Sequence, residues 1–584
     1  MLSSLVAIPA LPSAPCAVVQ DGDRWLAFET PIALLEAREP GGVLSMLREA
    51  DSALAAGRFV AGYVAYEASA AFGLATRSPA SDGPPLVWLG VFEAPREIEP
   101  PRAEAGPPPG VSFEPALAEA EYAARLAYVQ RRIAAGDTYQ VNLTFPLRAS
   151  LAEEPGALFA RLVAAQRPRH AAFLDLGRFV IASASPELFF CRAADGTLRA
   201  RPMKGTAPRG PTLEQDEAAA ARLRGSDKQR AENLMIVDMI RNDLGRIAEL
   251  GSVEVSSLFD VERYPTLLQM TSQVRARSRA PLSELFAALF PCASVTGAPK
   301  KRTMEIVAAT EIAPRGVYTG AIGWAGPDGA TAWSVAIRTV VVDRDRGLAS
   351  FGTGSGVVAD SSAAGEYAEC LLKARILEEP PFALVETFAL LPGEGFRRLD
   401  GHLARLAGSA RHFGFPLEMR RVEEALRASA ASIVGAARAR LILESDGHVV
   451  VQATALPPAP SRTLQVGLAA RPVDPRSVWL YHKTTRRETY DEAAASRPDC
   501  DDVLLWNDRG ELTESTIANV VVEIGGQRLT PPVACGLLPG VERARALAEG
   551  RAREGVVRLS DRRPGQRLWL LSSLRGSREA RLVG

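Results

Sequence analysis

The chain is short of the residues that build metal cages and disulfide frameworks. Its 584 residues hold six cysteines, at 16, 191, 292, 370, 500 and 535, with no CxxC pair. Its five histidines, at 170, 402, 412, 448 and 482, show no metal-ligand spacing. A disulfide scaffold and a zinc site are therefore excluded. Net charge is also missing: 68 basic residues face 68 acidic ones, which points away from nucleic-acid and membrane surfaces. No run of about 18 apolar residues occurs, so no transmembrane span is expected. The first residues, MLSSLVAIPALPSAP, lack a basic start and are broken by prolines, a poor match to a signal peptide. A cytoplasmic protein is expected. No internal repeat is visible.

Present instead is an ordinary globular composition, 47% hydrophobic and 23% charged, too long for one core. Glu378-Glu379-Pro380-Pro381 marks the best boundary. It divides the chain into a domain over 1–377, a linker over 378–382 and a domain over 383–584. The expected class is α+β. Helical patterns cover 41–57, 118–136, 227–248 and 363–377, and strand-like runs cover 139–147, 178–184, 187–192, 317–324, 332–342 and 349–359. Residues 95–110 are proline-rich and read as an exposed loop. Beyond the boundary, a helix is expected near 401–413, with strands at 438–444, 448–454 and around 502–523.

Several residues suit chemistry. Lys204 lies in the Pro/Gly-punctuated Arg201-Pro202-Met203-Lys204-Gly205-Thr206, where a restricted backbone can aim an amine. Glu232 lies on the 227–248 helix, and Glu366 and Glu369 share a face of the 363–377 helix. Carboxylates facing each other from two helices suit Mg²⁺, or are ordinary helix-surface charges. Ser294-Val295-Thr296-Gly297-Ala298-Pro299-Lys300 is a small-residue loop entering a helix, an anion cradle or a plain strand–helix turn. Tyr318 and Arg338 stand on strand-like runs and can donate to a carboxylate; a lone strand arginine can equally be an ion-pair partner. The glycines around Gly354 let backbone approach a ligand or form a bulge.

Taken in order, GDTYQVNL (136–143), ASPELFF (184–190), RPMKGTAPRG (201–210), AENLMIVDMIRNDLGR (231–246), SVTGAPK (294–300), YTGAIG (318–323), IRT (337–339) and GEYAECLLKA (365–374) resemble the chorismate-utilising enzymes. That resemblance implies a two-sheet α/β sandwich. It also implies Glu232 and Glu369 as Mg²⁺ ligands supported by Glu366, and Tyr318 and Arg338 clamping the enolpyruvyl carboxylate of chorismate. Thr296, Gly297 and Gly354 would line the substrate pocket, and Glu187 would be the general acid at the C4 hydroxyl. Members that add water at C2 carry a lysine where Gln140 stands; members that aminate at C2 carry alanine where Lys204 stands. A lysine there resembles the aminodeoxychorismate synthases and implies Lys204 as a nucleophile at C2, with ammonia adding at C4. No glutaminase motif is visible, so ammonia would come from solution or from a separate glutamine amidotransferase subunit.

After the boundary come HLARL (402–406), Lys483, TESTIAN (513–519), LLPGVER (537–543) and Ser573. A pyridoxal-phosphate enzyme needs an anchoring lysine, an acid facing the ring nitrogen, backbone donors for phosphate and a nearby cation. Lys483, Glu514, the Gly540–Val541 helix start, Ser573 and Arg405 suit these roles, or are surface and strand-end residues. The ordered set resembles the class IV, D-amino-acid-aminotransferase-like family, and most of all its lyases that act on aminodeoxychorismate. It implies pyridoxal 5′-phosphate as cofactor and a homodimer through this half. The combined expectation is 4-aminobenzoate synthesis from chorismate. The alternatives are an anthranilate-synthase-like half with an appended aminotransferase, or a synthase with an inactive cofactor domain.

Overall fold

The computed structural model describes residues 11–583 apart from 104–111, 152, 266, 379, 432, 434, 459–461, 562, 564 and 565. The first ten residues, the later part of the proline-rich stretch and linker residue Glu379 therefore lie outside the described residues. Its described start, Arg96–Ile98, is a strand rather than a loop.

Two compact units form, one from Met1–Ala207 and Arg222–Pro381, the other from Pro208–Ala221 and Phe382–Gly584. Pro208–Ala221 falls inside the range assigned from sequence to the first domain but packs in the second unit. A buried ion pair within the segment holds an arginine that bonds to the rest of the second unit. Arg209 donates twice to Asp216, at 2.7 and 2.9 Å, and once to the His412 carbonyl at 2.5 Å. Both charges are almost wholly removed from water, so each depends on the other.

Among the described residues, the first unit holds two ten-stranded sheets. In one, Gln140–Ser150 pairs antiparallel along Leu348–Val357, and Thr339–Asp343 lies next to Phe179–Ser185. In the other, Met203–Pro208 occupies an edge, and Leu188–Arg192, Thr331–Val335 and Ala321–Ala325 run through the middle. The chain crosses between the sheets at Pro186-Glu187 and again at Ala336–Arg338. The crossings are bonded together: Val335 N donates to Glu187 O at 3.0 Å, and Ala184 N donates to Arg338 O at 3.0 Å. One apolar core joins Phe190, Phe286, Trp333 and Val237; another joins Phe145, Tyr122, Tyr367 and Val340.

Helix Asp227–Gly245 starts at Ser226, whose hydroxyl accepts from Gln229 N, and buries Val237, Ile240 and Leu244. Helix Ala363–Ala374 is capped by Ser362, carries Glu366 in its first turn and Lys373 in its last, and buries Tyr367 and Cys370. In both, the apolar stripe faces the core and the carboxylates are left on the other side.

The second unit has a four-stranded antiparallel sheet, and every described strand in it comes from Leu384–Ala455. The small sheet thus takes no strand from the other half among the described residues. Helix Leu399–Phe413 packs its Leu406, Ala410 and Phe413 against this sheet. An eight-stranded sheet follows, and strand Leu512–Ser515 pairs with both Asp502–Trp506 and Asn519–Ile524, closing six strands into a ring. The closing pair is Glu514 with Asn519.

Candidate active sites

In the first unit, charged side chains converge on Lys204. Its segment is a strand, Met203–Pro208, and not a turn: Gly205, with φ +98°, lets Gln229 and Met270 close over the backbone. The amine lies beside Gly356, 3.2 Å from where a Cβ would stand, and Gln140 Nε2 lies over the same glycine. A larger residue at 356 would force Gln140 to move and would press on the Lys204 amine. Burial and the neighbouring Lys373 lower the Lys204 pKa, while Glu187, Glu232 and Glu369 act in the opposite sense. Lys204 O accepts from Asn233 at 3.1 Å, which ties the strand to the Asp227–Gly245 helix.

Glu187 sits at the first sheet crossing, 4% exposed. Burial raises its carboxyl to about 7 against the opposing pull of Ser294 and Lys204. Its Oε1 has no hydrogen-bond partner. An orphaned buried carboxyl oxygen is costly, and is retained where a ligand supplies the missing bond. Gln140 Oε1 is in the same condition.

The anion loop is built as a cradle. Gly297, at φ +151°, pairs with Val141, and a Cβ there would lie 2.0 Å from Gln140 O. Thr296 is fully buried, its carbonyl accepting from Asn142 N at 2.8 Å and its hydroxyl donating to Ala293 O at 3.1 Å. Arg315 braces the loop, reaching Val295 O, Asn142 O and the Glu311 carboxylate at 2.7–2.8 Å.

Tyr318 and Arg338 depart from expectation. Tyr318 lies in a turn ahead of strand Ala321–Ala325, its ring against Gly352, where no Cβ fits. Arg338 lies at the second crossing with φ +50°, not within a strand. An apolar run reads as one strand even where the chain changes sheets, so neither break was visible. Arg338 donates to Gln166 Oε1 at 2.7 Å and lies 5.9 Å from the Tyr264 ring centroid.

The three candidate metal ligands are not gathered into a ready-made cage: no cluster of three such donors occurs among the described residues. Glu369 pairs with Lys373 at 2.7 Å and Glu366 accepts from the Ser361 hydroxyl at 2.7 Å. Burial raises the Glu232 carboxyl, with Asp360 and Glu366 adding to the rise. Mg²⁺ is usually held by one or two carboxylates plus water and substrate oxygens, so this donor set fits it without a closed cage. Glu232 opens onto a pocket of ≈ 440 Å³ whose walls include Gly136, Tyr139, Lys228 and Asp360. Sequence reasoning passed over Lys373, which also donates to Gly354 O at 2.8 Å; its i, i+4 spacing from Glu369 was the available signal.

In the second unit, Lys483, Glu514 and Arg405 are close enough to influence one another. Burial and Arg405 bring the Lys483 pKa down to about 8. Its carbonyl accepts from Val385 N at 2.8 Å, pinning it to the small sheet. Burial raises Glu514 to about 7. Its oxygens accept from the Tyr490 hydroxyl at 2.8 Å, Leu538 N at 3.0 Å and Asn519 Nδ2 at 3.1 Å. Arg405 grips Glu386 through Nε and Nη2 at 2.9 and 2.7 Å, and Nη1 reaches Pro539 O at 3.4 Å, one residue before Gly540. Burial would raise Glu386, but Arg405 and His402 overcome it and hold the carboxyl at about 2. Gly540 caps helix Val541–Ala548, and a Cβ on it would lie 1.8 Å from Asn519 Oδ1. Ser573 lies in the turn that follows strand Arg567–Ser572. An amine, a buried acid, an open helix start and a fixed cation make a donor set that fits pyridoxal phosphate. Glu386 and Tyr490 were missed from sequence, and Asn519 stood out only as part of a matching block, because they act by holding other residues.

Comparison with known proteins gives two consecutive matches that meet near residue 380. Residues 21–379 match the chorismate binding enzyme family. The chain belongs to that family. Residues 383–583 match the amino-transferase class IV family, and the fold is mixed α+β in both halves. An aminodeoxychorismate synthase of Streptomyces griseus is 45% identical over 247 residues, covering 42% of this chain and 34% of that protein. Anthranilate synthase component 1 of Streptomyces coelicolor is 42% identical over 266 residues, covering 45% of this chain and 51% of the relative. The chain therefore spans between a third and about half of these relatives' lengths. The structure of anthranilate synthase component I from Streptococcus pneumoniae shares the fold, with TM-score 0.54 and 23% identity over 65% of this chain and 95% of that one. The nearly equal identities to two kinds of synthase leave the choice of reaction to individual residues. No described helix is long and apolar enough to cross a membrane.

Proposed function

We propose that the chain makes 4-aminobenzoate in two steps: chorismate and ammonia to 4-amino-4-deoxychorismate, then loss of pyruvate. The observation that carries the first step is the Lys204 amine held among Glu187, Glu232 and Glu369, with its ammonium form disfavoured by burial and Lys373. A neutral amine is the nucleophilic form. Glu187, raised to about 7, keeps a proton at neutral pH and has Oε1 available to the substrate. Lys204 Nζ bonds to C2 of chorismate as the ring double bonds shift and the C4 hydroxyl leaves as water with the Glu187 proton. Ammonia then bonds at C4, and Lys204 leaves C2 with its electron pair returned to nitrogen. Tyr318 and Arg338 hold the enolpyruvyl carboxylate. Glu232 and Glu369, with Glu366, would hold Mg²⁺, which neutralises the ring carboxylate. Ammonia comes from solution or from a separate glutamine amidotransferase subunit.

In the second step, Lys483 Nζ takes the proton from C4, and the enolpyruvyl group leaves C3 to give pyruvate and an aromatic ring. Pyridoxal phosphate bound there supplies the electron sink. Glu514 would keep the ring nitrogen protonated, and Arg405 with the Gly540–Val541 helix start would face the phosphate.

Incubating the protein with chorismate, ammonium, Mg²⁺ and pyridoxal phosphate tests the reading. The expected product is 4-aminobenzoate. Anthranilate as product would favour the second reading, an anthranilate synthase half, which the 42% identity to such an enzyme supports. Accumulation of aminodeoxychorismate alone would leave the second unit without its assigned step.

A further inference from the structure

We propose that Thr319 is a positioning residue that fixes Tyr318 relative to Arg338, the two side chains assigned above to the enolpyruvyl carboxylate; the inference rests on that assignment. Thr319 adopts φ +61°, and Arg338 lies at φ +50°. A β-branched residue is poorly suited to positive φ, because its Cβ crowds the following carbonyl. Glycine takes that conformation freely. What the threonine has and glycine lacks is a hydroxyl, and here it is wholly buried and fully used. Oγ1 donates to Tyr318 O at 2.6 Å and accepts from Arg315 Nη1 at 3.2 Å. Arg315 is held in turn: its side chain is 1% exposed, and it donates to Glu311 Oε1 at 2.7 Å and to Val295 O at 2.8 Å. The same turn is fastened from below by Glu67, which accepts from Arg315 N at 2.7 Å and Gly316 N at 2.9 Å.

The backbone of Thr319 reaches the other half of the clamp. Its N–H donates to Ala336 O at 2.8 Å, and Ala336 N–H donates to Gly320 O at 2.9 Å. Ala336 opens the sheet crossing that carries Arg338. The Tyr318 turn and the Arg338 crossing are thus bonded to each other through residues 319 and 320. Packing alone does not set the tyrosine. Its ring rests on Gly352, but the residue also borders a cavity of ≈ 200 Å³ whose walls include Thr144 and Thr339. A ring with space beside it can turn unless its backbone is fixed. A disfavoured backbone angle held in place by so many surrounding bonds points to a geometry that function requires.

The test follows steady-state consumption of chorismate by the full chain with saturating ammonium and Mg²⁺. Thr319→Gly suits the backbone angle and lacks the hydroxyl. It should raise KM for chorismate about tenfold, the factor expected for one lost hydrogen bond, with kcat little altered. Thr319→Ala, which lacks the hydroxyl with less loss of buried volume, should do the same. Thr319→Ser, which keeps the hydroxyl, should return KM to within about twofold of wild type. The deciding measurement is the double variant. On a Tyr318→Phe background, Thr319→Gly should add less than about twofold, because a residue that acts through the phenol then has nothing left to position. A full tenfold rise on that background would mark a general loosening of the fold and overturn the inference. So would an unchanged KM in both Thr319→Gly and Thr319→Ala, or a Thr319→Ser protein as impaired as they are. A Tyr318→Phe protein with the KM of the wild type would instead sink the carboxylate assignment itself, and the inference with it.

Discussion

The two units place the same pair of groups in opposite circumstances. Each sets a lysine amine, pushed toward its neutral form, beside a buried carboxyl raised to about 7. Glu187 has an oxygen with no partner, whereas Glu514 is held by a tyrosine, a backbone N–H and an asparagine. A carboxyl left with an open oxygen can pass a proton to a ligand. One clamped on both oxygens keeps its place and offers a fixed charge. Two similar acidities thus suit two different tasks, and hydrogen bonding, not pKa, tells them apart.

The largest test of this contrast removes Lys483, the lysine proposed to carry the second reaction. Lys483→Ala should cut 4-aminobenzoate formation by about 10⁴-fold and leave aminodeoxychorismate to accumulate, as read by chromatography. Normal output from that variant would refute the role. Lys204→Ala should cost the first step about 10³-fold at saturating ammonia, with traces of anthranilate as the sign that amination has moved to C2. An undiminished rate would reduce Lys204 to an anion-binding cation.

The two carboxyls should then separate. As the proposed acid, Glu187 would act protonated, and its pKa of about 7 means the acid form is lost as pH rises through neutrality. At saturating ammonia the first step should fall once pH exceeds both the Glu187 pKa and the point at which Lys204 is neutral, and Glu187→Gln should remove that alkaline fall at a rate about 10²-fold lower. An alkaline fall that survives in Glu187→Gln would argue against Glu187 as the acid. Tyr490→Phe removes one of the bonds holding Glu514, and should cost about 1 kcal/mol in denaturant titration with only a few-fold loss of lyase rate. A loss as large as that of Glu187→Gln would mean that Glu514 works by proton transfer after all.

Much of this was legible in the sequence because it is local. The boundary prolines, the Glu366–Glu369 spacing and the stripe of Val237, Ile240 and Leu244 depend on residues a few places apart. What was hidden depends on distant ones. Tyr318 and Arg338 read as strand residues because nothing in an apolar run announces that the chain is about to change sheets. The orphaned oxygen of Glu187 is a property of what fails to surround it. Asn519 was part of a recognised block, but its work, closing the strand ring onto Glu514 and filling the space beside Gly540, takes shape only once strands brought together by folding meet.

Pro208–Ala221, which supplies the Arg209–Asp216 pair to the second unit, makes that unit discontinuous along the gene. A fragment beginning at the proline boundary would carry every residue assigned to the lyase reaction and yet lack a piece of its own interior, with the His412 carbonyl deprived of its arginine. The visible seam in the sequence therefore does not coincide with the boundary between the two compact units. A cut at the proline boundary would leave these fourteen residues on the other side of it.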